Sequence, residues 1–75
     1  MTVTEYATGD VYKVLGKISE ETRQSRPELG ELPLTDITYR NKAVMTIVPA
    51  WVGELIKAHP AEFLERYEAE RSTDS

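Results

Sequence analysis

Asp36-Ile37-Thr38-Tyr39-Arg40-Asn41-Lys42-Ala43-Val44-Met45-Thr46-Ile47-Val48-Pro49 is the stretch that decides how this chain folds. Ile37 to Arg40 is β-branched and aromatic, Ala43 to Val48 is apolar apart from Thr46, and Pro49 ends the second run. Branched and aromatic side chains suit a pleated surface, and Asn tolerates positive φ, so the stretch predicts a β-hairpin. Two registers fit it. A two-residue corner at Asn41-Lys42 sets Tyr39 opposite Val44. A three-residue corner, Arg40-Asn41-Lys42, sets Ile37, Tyr39, Ala43, Met45 and Ile47 on one face, and its cleaner apolar face makes it the preferred reading.

Toward the amino terminus, Thr2 to Ala7 alternates weakly and predicts a short strand anchored by Val3 and Tyr6. Thr8 reads as a helix cap, with Asp10 in the first turn facing the positive end of the helix dipole. Val11, Val14, Leu15 and Ile18 recur at helical spacing and form an apolar stripe. Gly16 costs that helix roughly 1 kcal/mol relative to Ala, which suggests a close backbone approach. The helix is expected to fade between Ser19 and Arg23. Gln24 to Thr35, punctuated by Pro27, Gly30 and Pro33, reads as a loop with one helical turn at Pro27 to Leu29. Leu29, Leu32 and Leu34 are expected to fold back onto the body.

Toward the carboxy terminus, a helix from about Ala50 to Ala58 carries Trp51, Val52, Leu55 and Ile56, with Trp51 expected in the core ahead of the alternative of an interface anchor. Pro60 interrupts it and suits the first turn of a second helix, Ala61 to Arg71. There Phe63, Leu64 and Tyr67 share one side, and Glu62 and Arg66 are spaced to pair at i, i+4. Ser72 to Ser75 should fray. There is no internal repeat.

The chain has 75 residues, enough for one domain whose single core is small for independent stability. It contains no Cys and one His, so neither a disulfide nor a thiolate metal site braces it, and association with a second copy is the expected support. No run is apolar enough to span a membrane and no signal peptide is read, so a cytoplasmic location is expected. The net charge of −4 is uneven: residues 1–58 carry seven Lys/Arg against eight Asp/Glu, and residues 59–75 carry two against five. The charge thus divides the chain into a near-neutral α+β body, 1–58, and an acidic helix and tail, 59–75. Such acidity is not the usual footprint of a nucleic-acid binder.

No catalytic constellation, phosphate-cradling glycine loop or metal-ligand cluster stands in the sequence, so no enzyme activity and no cofactor are expected. Glu20-Glu21 does not make an acid/base pair, because adjacent helix residues do not face each other. His59, before Pro60, reads as a solvent-facing junction residue. Lys13 and Lys17 share a helix face, and Arg40, Asn41 and Lys42 make the hairpin tip. Together they are the candidate phosphate contacts, against the plainer reading of a solvated polar face. Phe63, Leu64 and Tyr67, flanked by Glu62 and Arg66, are the candidate partner contacts, against packing within a dimer.

With these elements placed, the chain resembles the prevent-host-death (Phd/YefM) antitoxin family. That family's first helix reads A-R-x-x-L-x-x-L-L-x-x-V, where this chain has Ala7-Thr8-Gly9-Asp10-Val11-Tyr12-Lys13-Val14-Leu15-Gly16-Lys17-Ile18. Its hairpin reads approximately I-T-R-R-G-K-P-V-A-V-L-V-P, aligned without a gap to Ile37 through Pro49. The match covers roughly residues 3–57. Two features depart from it: Thr8 replaces an Arg that often contacts DNA, and the segment between helix and hairpin is longer. The resemblance implies a strand-helix-β-hairpin-helix unit with a C-terminal helix that dimerises through its sheet, binds operator DNA with its amino-terminal half and neutralises a toxin with its carboxy-terminal segment. The rival expectation is an inhibitor from a phage or other mobile element that presents an acidic surface to a host protein and binds no DNA. A plain dimerisation module is the third.

Overall fold

In the computed structural model, which describes residues 1–73, the hairpin forms from strands β2 (Pro33–Tyr39) and β3 (Lys42–Ile47). Its tip corrects both expected corners. The turn is Arg40-Asn41, with φ of 53° and 66°, the two-residue left-handed pattern that matches strand twist. Tyr39 therefore faces Lys42 and Thr38 faces Ala43. Beyond them the register slips, so that Ile37 meets Met45 and Thr35 meets Ile47. Val44 is the extra residue of a β-bulge, which restores the preferred pairing from Met45 onward. Between Asp36 and Thr46 the side chains meet across the strands, the Thr46 hydroxyl donating to a carboxylate oxygen at 2.7 Å.

An Arg in left-handed conformation is strained by roughly 1–2 kcal/mol. Converting the tip to Asn-Gly (Arg40→Asn with Asn41→Gly) should stabilise the protein by about 1 kcal/mol and raise the thermal midpoint by about 4–8 °C. A melt at fixed chain concentration checks this, and a lowered midpoint would contradict the turn geometry.

Strand β1 (Thr2–Ala7) lies parallel to β2, Thr2 beside Pro33 and Ala7 beside Thr38, so the sheet order is β1-β2-β3. Its anchors are Thr4 and Tyr6, half-buried on the face of Thr35 and Ile37, while Val3 points to the opposite, exposed face. Thr8 does not cap the helix. It opens a 3-10 turn, Thr8–Asp10, and its hydroxyl donates to the Thr38 carbonyl at 2.7 Å, fastening this corner to β2. Helix α1 (Val11–Gln24) follows, running past the expected fade to Gln24. Glu20 prolongs it by pairing with Arg23 and accepting from Gln24 at 2.8 Å. No neighbouring element lies within 4 Å of the place a Gly16 side chain would take, so that glycine serves no close approach.

The helical turn at Pro27–Leu29 forms and closes at Gly30 with φ of 80°. Beside it the Glu28 carboxyl is held below the usual carboxylate range by a backbone hydrogen bond and then by Arg26. Leu32 and Leu34 are half-buried as expected, but Leu29 remains exposed. The core is small: Ile18 of α1 meets the sheet face of Ile37 and Thr35, with Pro49 buried at the end of the hairpin.

Beyond Pro49 no described residue is buried. Helix α2 (Ala50–Ala58) occupies the expected span, and α3 (Pro60–Thr73) begins at Pro60 and includes two residues expected to fray. Trp51 is 43 % exposed, against its expected place in the core. A body this small has no second layer to receive it. No described helix is long and apolar enough to cross a membrane.

Candidate functional site

Two surfaces draw together the residues singled out by their chemistry. The first is one end of the sheet. Because Ala7 pairs with Thr38 and Thr8 bonds to its carbonyl, α1 begins beside the hairpin tip. Lys13, in the first turn of α1, lies at this end, and Arg40, Asn41 and Lys42 make the tip, whereas Lys17 adjoins Ile18, which lines a groove with Ile47 and Val48 at the end of β3 away from the tip. All five are exposed. The cations differ in whether a carboxylate meets them. Arg23, Arg26, Lys57 and Arg66 stand in ion pairs, and Arg71 lies over the Tyr67 ring. Among the described residues, Lys13, Lys17 and Lys42 stand in none, and Arg40 lies over the Tyr39 ring at 5.3 Å.

Two aromatic residues stand exposed at this end: Tyr12, which the sequence reading passed over, and Tyr39, which it placed on the hairpin's apolar face. Tyr12, 88 % exposed, adjoins Lys13 in the first turn of α1, and Tyr39 projects beneath Arg40. Tyr12 falls outside the stripe of Val11, Val14, Leu15 and Ile18, and that off-stripe position was the available sign. Exposed rings among unpaired cations are suited to nucleic acid, where bases or sugars pack on the ring and phosphates meet the charge.

The second surface is α3. Phe63, Leu64 and Tyr67 are 48, 66 and 56 % exposed. The expected Glu62–Arg66 pair does not form. Arg66 instead meets Glu70 at 3.3 Å, and Glu62 turns back to His59 at 3.5 Å. Arg66 has a glutamate one turn away on either side, and it meets the later one while Glu62 lies beside His59. His59 is exposed at the break between α2 and α3, as its position before Pro60 implied. Phe63 sits between Glu62 and Arg66 in an open depression of about 300 Å³. Such an arrangement offers apolar anchors ringed by charge.

No family model matches the chain, and neither a curated protein nor a solved structure matches it.

Proposed function

We propose that the chain is an antitoxin-type neutralising protein: a Phd/YefM-like body that dimerises through its sheet and carries α3 as the segment that occupies a toxin. The observation that carries this reading is the exposure of Phe63, Leu64 and Tyr67 on a helix outside the small core. An apolar helical face of this kind is what a groove-binding segment presents. The acidic residues Glu62, Glu65, Glu68 and Glu70 suit a basic groove, as in a nuclease substrate site. The test is genetic. Expression of the product of the reading frame adjoining its own should arrest growth, and co-expression of this chain should relieve the arrest. Failure of relief, with both proteins present, would end the reading.

The same reading gives the sheet end an operator-binding role. Affinity there should be modest and steeply salt-dependent, since Thr8 supplies no Arg contact. Reversing the charge of Lys13, Arg40 or Lys42 should each lower the slope of log affinity against log salt by roughly one unit. If the triple reversal leaves binding to the promoter fragment unchanged, this end is not the DNA surface.

A further inference from the structure

We draw no further inference here: the strongest candidate, the open groove that Leu15 and Ile18 of α1 form with Ile47 and Val48 at the end of β3, carries nothing, because nothing in the structure shows what covers it.

Discussion

Replacing Ile37 by Ala should remove about 3 kcal/mol of stability and lower the thermal midpoint by more than about 10 °C. Ile37 has no exposed surface and sits on the central strand, so its loss leaves a cavity that neither β1 nor β3 can close without breaking pairing. A domain of this length has a total stability of only about 4–11 kcal/mol, so the loss is a large share of it. Leu64→Ala is the matched control. It removes an apolar side chain that is 66 % exposed and should cost less than about 1 kcal/mol. Melts followed by circular dichroism at one chain concentration compare the two. Equal effects would mean that the core does not lie between α1 and β2.

Ile37 was legible because the chain alternates around it, and Pro49 and the Ala50–Ala58 helix were legible for equally local reasons: a strand stop and an apolar period. The tip was not. Arg40 has positive φ because strand twist demands it, and nothing in an Arg announces that conformation. The bulge was hidden too, since Ala43-Val44-Met45 is apolar throughout and a run without alternation cannot show which residue is extra. Trp51 misled for another reason. Hydrophobicity predicts that a side chain will be covered, without saying that the cover belongs to the same chain. At the candidate surfaces, charge and exposure were readable from residue type, while the partner of Arg66 was not, because Glu62 and Glu70 stand at equal spacing on either side of it.

Deleting residues 60–75 should abolish toxin binding while the remaining body keeps its fold, with a thermal midpoint within about 5 °C of the parent's. The residues of the core all precede Ala50, and α3 contributes none of them. As a free peptide of its length, α3 is marginal in water and needs a surface to lie against. In the proposed complex that surface is the toxin. Titration calorimetry with the toxin, at low and high salt, should show binding to the full chain and none to the shortened one. Phe63→Ala and Tyr67→Ala in the full chain should each weaken binding by about tenfold or more. A shortened chain that unfolds or aggregates would assign Phe63, Leu64 and Tyr67 to the body, and the neutralising role would have to move elsewhere.

The parallel pairing of β1 with β2 sets an order of events as the chain is made. The hairpin joins neighbouring residues and closes within roughly 1–10 µs. β1 has no such neighbour: Thr2 waits for Pro33 and Ala7 for Thr38, with all of α1 between them. Its contacts form only after that long loop has closed, so they arrive late in folding. On the ribosome, β1 leaves the exit tunnel before β2 and β3 and is thus the last of the three to find its place. Until β2 has emerged, the nascent chain carries an uncommitted edge into a crowded surrounding.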